Sequence, residues 1–277
     1  MDRKYSLAYL TIPGTDPVSQ IHIAKDAGYD FVSLRTIPMH LPGEPEFVLE
    51  KDEKLLSDIK AALKETGMKV HDIELVRFRP ELNVSELEPA FEKAAEIGAT
   101  DVLSSVWTRD KAIYNEKVAE TAALAAKYGL KVNVEFLPWA GIRSLQEDIT
   151  LVDNMRALGH DNVFVMLDTL HAGRAGVTKE EVKRTPGDYF GFIHLCDGPA
   201  GPDGDPVLAD IHDDLMLYTA REARFYAGEG AMDVKGLIDA LPGHDISIEL
   251  PNLKKMQELG AAGHAKMCLD TAKKCLG

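Results

Sequence analysis

The sequence predicts a closed (β/α)8 barrel with parallel strands. Its 277 residues suit one such barrel, since barrels commonly have about 250 residues. Apolar runs of strand length alternate with amphipathic helical stretches eight times along the chain. No linker-like composition interrupts this alternation, so we predict a single barrel domain over residues 1–277.

The first half contains four strand–helix units. The strands are predicted at 5–12, 31–37, 69–78 and 101–107, and the helices at 16–29, 52–67, 84–99 and 115–129. Asp16 and Pro17 suit the start of the first helix. The four helices are predicted to stop at glycines, which are Gly28, Gly67, Gly98 and Gly129.

The second half repeats the scheme. The strands are predicted at 131–139, 162–170, 189–197 and 245–252, and the helices at 144–159, 178–184, 233–242 and 255–276. The connection after the seventh strand, residues 197–230, is far longer than an ordinary βα loop. Such a loop lies at the carboxyl ends of the strands, where barrel active sites form, so we interpret it as a binding loop or lid.

Four consecutive strands each place one ionisable residue in the inward-facing phase. In the fifth strand, Val134 and Phe136 share the outward face, so the intervening Glu135 points into the barrel. The same alternation turns three further residues inward near the strand ends: Asp168, His194 and Glu249.

Three carboxylates that converge without a cation would repel one another strongly. A bound divalent ion removes this difficulty. Three oxygen donors and one imidazole suit Mn²⁺ best, and Mg²⁺, Co²⁺ or Zn²⁺ are alternatives. The sequence therefore predicts a divalent metal site.

At these residues the chain resembles the xylose isomerase-like barrel family, which includes sugar isomerases, ketose epimerases, inosose isomerases and dehydratases, and apurinic endonucleases. The resemblance covers nearly the whole chain and implies that Glu135, Asp168, His194 and Glu249 are the metal ligands. It also implies that two residues contact the substrate: His171, and Arg224 in preference to Arg221.

The predicted chemistry is proton transfer next to a carbonyl group. Glu135 and Glu249 lie on strands that are well separated around the ring, so one can remove a proton and the other return it through an enediolate. We expect an isomerase or epimerase of a sugar or cyclic polyol ketone. Arg35 and Trp107 are further candidates for substrate contact, although Arg35 could instead pair with Glu74.

Three other functions stay open. A dehydratase or another lyase would use the same ligands. An endonuclease-like hydrolase is favoured by Asp210 and His212, but Trp107 stands where a further zinc histidine would be expected. A non-catalytic sugar-binding barrel is disfavoured by the intact ligand set. Solvent deuterium exchange would separate these classes.

Composition restricts the partners. The formal net charge of −14 argues against binding nucleic acid or an anionic membrane. No apolar stretch is long enough to span a bilayer, and the start of the chain lacks a cleavable signal pattern. We therefore predict a cytoplasmic protein with a small carbohydrate or polyol substrate. Homo-oligomers are compatible with the sequence, which does not fix their size.

Overall fold

The computed structural model describes residues 3–41, 43–201 and 213–277. Eight parallel strands pair in chain order, and the first pairs with the last to close a barrel. The fold prediction is thus confirmed. The strands are β1 (Tyr5–Leu7), β2 (Phe31–Arg35), β3 (Lys69–Phe78), β4 (Asp101–Val106), β5 (Lys131–Glu135), β6 (Val163–Asp168), β7 (Phe190–Leu195) and β8 (Ile246–Ile248).

Helices connect the strands around the outside of the barrel. They are α1 (Pro17–Ala27), α2 (Glu53–Thr66), α3 (Glu88–Glu96), α4 (Lys111–Lys127), α5 (Leu145–Ala157), α6 (Thr169–Arg174), α7 (Lys179–Arg184), α8 (Asp213–Glu222), α9 (Val234–Asp239) and α10 (Leu253–Leu276). None of the helices in the described part of the chain is long and apolar enough to cross a membrane.

The helix ends follow the predicted chemistry. The Asp16 carboxylate accepts a hydrogen bond from the Ser19 backbone N–H at 3.0 Å and so begins α1. Gly28 ends this helix with a φ of 91°, a left-handed conformation that favours glycine.

All of the strands except β3 are shorter than predicted, and in β1 and β5 the reason is that the chain turns at the carboxyl end of the strand. β1 stops at Leu7, and a 3₁₀ turn over Tyr9–Thr11 follows it. β5 stops at Glu135, where the Leu137 N–H turns to bond the Ile142 carbonyl at 2.9 Å. The apolar residues beyond these strands belong to the loops that form the rim of the barrel.

The barrel interior has an apolar layer below the rim and a polar layer beneath it. The apolar layer contains Leu103, Met166 and Phe192, with Leu75 packed against them. The polar layer is a hydrogen-bonded chain of buried side chains from four strands: Ser6, Ser33, Asp72 and Ser247.

His71 closes the polar layer at the amino-terminal end of the barrel. Its Nδ1 lies 3.0 Å from Asp72 Oδ1, and its Nε2 lies 3.6 Å from Asp245 Oδ2. Burial acts to lower the pKa of His71, but these two carboxylates outweigh burial and raise it to about 10.

The long connection after β7 is described in part. It contains α8 and an irregular segment that returns to the barrel before α9. Its residues 202–212 lie outside the described ranges, and Asp210 and His212 are among them. The interpretation of this connection as a binding loop or lid stays a prediction.

Candidate metal centre and active-site cavity

Four side chains converge at the carboxyl ends of the last four strands. Glu135, Asp168 and His194 end or nearly end β5, β6 and β7, and Glu249 follows β8 directly. Each offers one ligand atom, and these four atoms lie within 4.8 Å of one another. All four residues are buried. The structure thus brings together the side chains that strand alternation turned inward.

Glu135 occupies the least compensated position of the four. Its Oε1 has no hydrogen-bond partner within the described residues, and His171 Nε2 lies 3.6 Å from it. Burial raises the pKa of Glu135 well above its usual range, and the negative charges of Glu249 and Asp168 raise it further.

Asp168 is held by the helix that follows it. Its Oδ1 accepts the backbone N–H groups of Leu170 and His171 at 2.8 and 3.0 Å, which caps α6. Burial acts to raise the pKa of Asp168, but the positive charge of Arg224 outweighs burial and lowers it. This carboxylate is therefore fixed in place and ionised.

Arg224 bridges two of the four side chains. Its Nη1 donates to Asp168 Oδ2 at 2.5 Å, and its Nη2 lies 2.7 Å from Glu249 Oε2. Its Nε donates to the Ala220 carbonyl at 2.8 Å, so the guanidinium plane is fixed. The predicted substrate ligand therefore also positions two candidate metal ligands.

His194 has two ring nitrogens without hydrogen-bond partners among the described residues. Its Nδ1 lies 3.4 Å from Glu249 Oε2. Burial acts to lower the pKa of His194, but the charges of Glu249, Glu135 and Asp168 raise it to about 9. Burial also acts to raise the pKa of Glu249, whereas His194 and Arg224 hold it below its usual range.

This donor set fits a divalent cation. Buried polar atoms almost always have partners, yet Glu135 Oε1 and both His194 nitrogens lack them in the described structure. Atoms that share one cation at about 2.1 Å lie about 3 to 4 Å apart, close to the observed cluster. A cation would also offset the charge that Arg224 alone leaves uncompensated.

A cavity of about 420 Å³ opens above the cluster. Glu135 and Glu249 line it, together with Trp139 and the predicted substrate contacts, which are Arg35, Trp107, His171 and Arg224. Such a volume suits a sugar-sized ligand.

His171 projects from α6 into this cavity. Its ring packs edge-on against Trp139, with the ring centroids 4.9 Å apart. Burial lowers the pKa of His171 to about 4, so the imidazole is neutral and can donate one hydrogen bond and accept another. Its Nδ1 has no partner among the described residues.

Arg35 forms the ion pair with Glu74 that the sequence offered as an alternative to substrate contact. Its Nη2 lies 2.7 Å from Glu74 Oε2, and its Nη1 lies 2.6 Å from Glu44 Oε1. The guanidinium also lies over the Tyr9 ring, 4.5 Å from the centroid. Burial raises the pKa of Glu74 to about 7, against the opposing charge of Arg35.

Asp197 anchors the segment that presents Arg224. Its carboxylate accepts the backbone N–H groups of Gly228, Gly230 and Met232 at 3.0 to 3.1 Å. A Cβ atom on Gly230 would lie 2.2 Å from Asp197 Oδ1, so this position requires glycine. Gly228 and Gly230 thus allow a tight turn around the buried Asp197 carboxylate.

Two other polar residues make their contacts away from the four-residue cluster. His40 is exposed and pairs with Glu46 at 2.7 Å. Asn133, two residues before Glu135 in β5, donates to Asp101 at 2.9 Å.

Several residues near the site carry no motif in the sequence. Glu44 comes from a loop and completes the Arg35 ion pair. Arg77 and Arg79 lie at the end of β3 beside a second cavity. The sequence signal that could have identified Arg77 and Arg79 is the occurrence of two arginines at the end of a predicted strand in an acidic protein.

The fold is a parallel eight-stranded barrel. A candidate metal centre lies at the carboxyl ends of its strands, where barrel enzymes have their active sites. The profile of the family described as "Xylose isomerase-like TIM barrel" matches residues 21–271. The chain belongs to this family.

Two curated relatives are named inosose isomerase. The protein from Bacillus velezensis is 23% identical over 248 residues, covering 83% of this chain and 80% of the relative. The protein from Bacillus subtilis is 22% identical over 245 residues, covering 83% and 81%.

Solved structures share the fold. The IolI protein with a bound zinc atom aligns with a TM-score of 0.79 at 18% identity, covering 99% of this chain and 98% of that chain. A D-allulose 3-epimerase from Methylomonas sp., in complex with D-allulose, aligns with a TM-score of 0.68 at 16% identity, covering 98% and 96%.

Proposed function

We propose that this protein is a divalent-metal-dependent isomerase or epimerase of a sugar or cyclic polyol ketone, which transfers a proton through an enediolate. The observation that carries the proposal is the convergence of Glu135, Asp168, His194 and Glu249 beneath a sugar-sized cavity. The names of the curated relatives and of the epimerase structure support this chemistry.

The four converging side chains would hold the cation. When bound, a divalent ion such as Mn²⁺ would polarise a carbonyl oxygen and acidify the adjacent C–H group. Asp168 is already oriented for this role by backbone N–H groups.

Glu135 and Glu249 are the proposed acid–base pair. Both line the cavity, and three strand steps separate β5 from β8 around the ring. They can therefore approach a substrate carbon from different sides, as an epimerase requires. Glu135 Oε1 carries no competing hydrogen bond in the described structure, which leaves it available to accept a proton.

Neighbouring side chains would orient the substrate. Neutral His171 can donate a hydrogen bond to a substrate oxygen, and Trp139 and Trp107 offer aromatic faces to the C–H groups of a sugar. Arg224 would hold Asp168 and Glu249 in place while it faces the cavity. Location in the cytoplasm and assembly into oligomers stay predictions from the sequence.

Solvent deuterium exchange tests the proposal. The protein is stripped of metal, reloaded with Mn²⁺, Mg²⁺, Co²⁺ or Zn²⁺ in turn, and incubated in D₂O with ketoses and inososes. We expect metal-dependent incorporation of deuterium next to the carbonyl, detected by NMR, together with an isomeric product. A product that has lost water would instead identify a lyase.

Glu135→Gln should abolish exchange while circular dichroism shows an intact fold. Glu65→Gln is the matched control, since Glu65 is exposed on α2. Exchange that persists undiminished in Glu135→Gln would remove this residue from the reaction. No metal-dependent exchange with any ketose or inosose would refute the proposed function itself.

A further inference from the structure

Three arginines lie in and beside the active-site cavity in a protein of net charge −14. Arg77 and Arg79 line a second cavity of about 660 Å³ beside the first, and Arg221 lines the first. Leu75 lines both cavities, so the two are neighbours. These three arginines, Arg77, Arg79 and Arg221, are called the mouth arginines below.

The mouth arginines are close enough to influence one another. Burial lowers the pKa of Arg77, the positive charges of Arg79, Arg221 and Arg35 lower it further, and the more distant carboxylate of Glu44 opposes them only in part. Like charges destabilise one another when they gather, and most buried or half-buried cations are paired. A group of cations that persists in an acidic protein therefore requires an explanation.

Acidic side chains of the described residues form no ion pair with this group. No carboxylate of the described residues lies within 4 Å of a mouth arginine, although Arg35 is paired with Glu44 and Glu74. The Arg77 guanidinium donates to the Met39 carbonyl at 2.6 Å, which positions it without neutralising its charge. The Arg79 guanidinium lies over the Trp107 ring, 5.6 Å from the centroid.

The strand register places Arg77 level with the proposed acid–base residue. Arg77 pairs with Ser105 on β4, and Ser105 pairs with Glu135 on β5. Neighbouring strands are about 4.8 Å apart, so the backbones of Arg77 and Glu135 are about 10 Å apart. Arg221 lines the active-site cavity itself, and Arg77 lines the adjoining cavity across Leu75, so a sugar-sized molecule that extends from the four-residue cluster past Leu75 approaches both arginines.

The anion that fits this position is a carboxylate. A guanidinium binds a carboxylate through two parallel hydrogen bonds. Phosphate sites commonly add the free N–H groups of a helix start. After β3, the chain re-enters helical structure at Asn83, whose side chain accepts the Ser85 N–H, and acidic Glu86 and Glu88 occupy the first turns. These helix starts are unsuited to a phosphate.

We infer that the substrate carries a terminal carboxylate that the mouth arginines bind, so that the substrate class is a keto acid of a sugar or polyol and not a neutral sugar. This inference rests on the proposed function, because the cluster end of the cavity then holds the keto group.

Matched ligand pairs test it. D-Fructuronate and D-tagaturonate differ from D-fructose and D-tagatose in a terminal carboxylate that replaces a CH₂OH group. Their affinities for the metal-loaded protein are measured by calorimetry. We expect each acid to bind at least tenfold more tightly than its neutral partner, and this advantage to fall below twofold in Arg77→Gln/Arg221→Gln.

Two further variants make the result specific. Arg184→Gln/Lys274→Gln removes two exposed positive charges that line neither of the two cavities and should keep the full advantage of the acid. Arg221→Gln alone, on the exposed side of α8, should lose part of the advantage if the double variant does not fold. If the acids still bind more tightly than the neutral ketoses in the arginine variants, the bound metal ion and not the arginines holds the carboxylate. That result would overturn the inference.

Small anions provide a test that does not depend on substrate stereochemistry. Trp107 and Trp139 are the two tryptophans of the chain, so Trp139→Phe leaves Trp107, beneath Arg79, as the single tryptophan fluorophore. Acetate should change its fluorescence in a saturable way, and Arg77→Gln/Arg221→Gln should remove the change. No response to acetate, together with equal binding of acids and neutral ketoses, would overturn the inference. Sulfate binding more than tenfold tighter than acetate would overturn the assignment of a carboxylate.

The same samples report on the proposed function separately through deuterium exchange. Arginine-dependent binding of acids without any exchange would refute the proposed reaction and keep the carboxylate site. Exchange on neutral ketoses, without any preference for acids, would keep the reaction and refute the carboxylate site.

Discussion

Asp148 offers a stability prediction that is independent of function. It lies in the first turn of α5 and is completely buried, and neither carboxylate oxygen has a hydrogen-bond partner in the described structure. Burial raises the pKa of Asp148 well above its usual range, and the charge of Glu135 adds to this. We predict that Asp148→Asn stabilises the protein increasingly as pH rises.

The sign follows from proton linkage. The unfolded carboxyl group ionises near pH 3.9, whereas the folded group keeps its proton to a higher pH. Wild-type stability therefore falls by about 1.4 kcal/mol per pH unit above pH 3.9, until the folded pKa is reached. Asp148→Asn lacks this loss. A step of two pH units inside the window should thus widen the difference by about 3 kcal/mol.

Urea unfolding of both proteins at half-unit steps from pH 4 to pH 8 measures this difference. The new amide can also change the free energy of unfolding by an amount that does not depend on pH. Such a change does not alter the slope of the difference against pH. Asp26→Asn, at an exposed position on α1, is the control and should show no such slope. A difference between wild type and Asp148→Asn that stays constant over this range would refute the reasoning.

Three further predictions follow from the site and its surroundings. Saturation with Mn²⁺ at about 100 times its Kd should stabilise the protein by about 2.7 kcal/mol and raise Tm by about 5 to 10 °C in scanning calorimetry, and excess chelator should reverse the shift. Arg35→Gln should lower the free energy of unfolding by about 3 to 5 kcal/mol, because it leaves buried Glu74 unpaired, and Arg35→Gln/Glu74→Gln should recover much of the loss in urea titrations. The pKa of His71 is raised to about 10, so the protonated ring stabilises the fold fully below pH 6.5 and this contribution is lost as pH approaches 10. The difference in the free energy of unfolding between wild type and His71→Asn should therefore shrink by up to about 1.4 kcal/mol per pH unit between pH 7 and 9.

Strand periodicity predicted much of the fold and the convergence of four side chains. Side chains alternate strictly along a strand, so the apolar residues around Glu135 were sufficient to turn it inward. Closing the barrel in chain order then placed the ends of β5 to β8 together. The roles of these side chains as metal ligands stay a proposal that the geometry supports.

Contacts made by loops could not be predicted in the same way. The partners of Arg224 depend on how the segment after α8 returns to the barrel, and only the folded chain shows that they are Asp168 and Glu249. Asp148 is also misleading in the sequence, since acidic residues are common in the first turn of exposed helices. Its burial arises from tertiary packing and leaves no local signal.

The Arg224 bridge separates the folding of this protein from the supply of metal. Its guanidinium already joins Asp168 to Glu249 and offsets part of their repulsion, so the closing strands do not require a cation to bring these carboxylates together. Newly synthesised chains can therefore close the barrel before any ion binds, and under the proposed function the ion would follow. Under the proposed function, the supply of metal would then determine how much of the folded protein is active, and it would add stability to a barrel that folds without it.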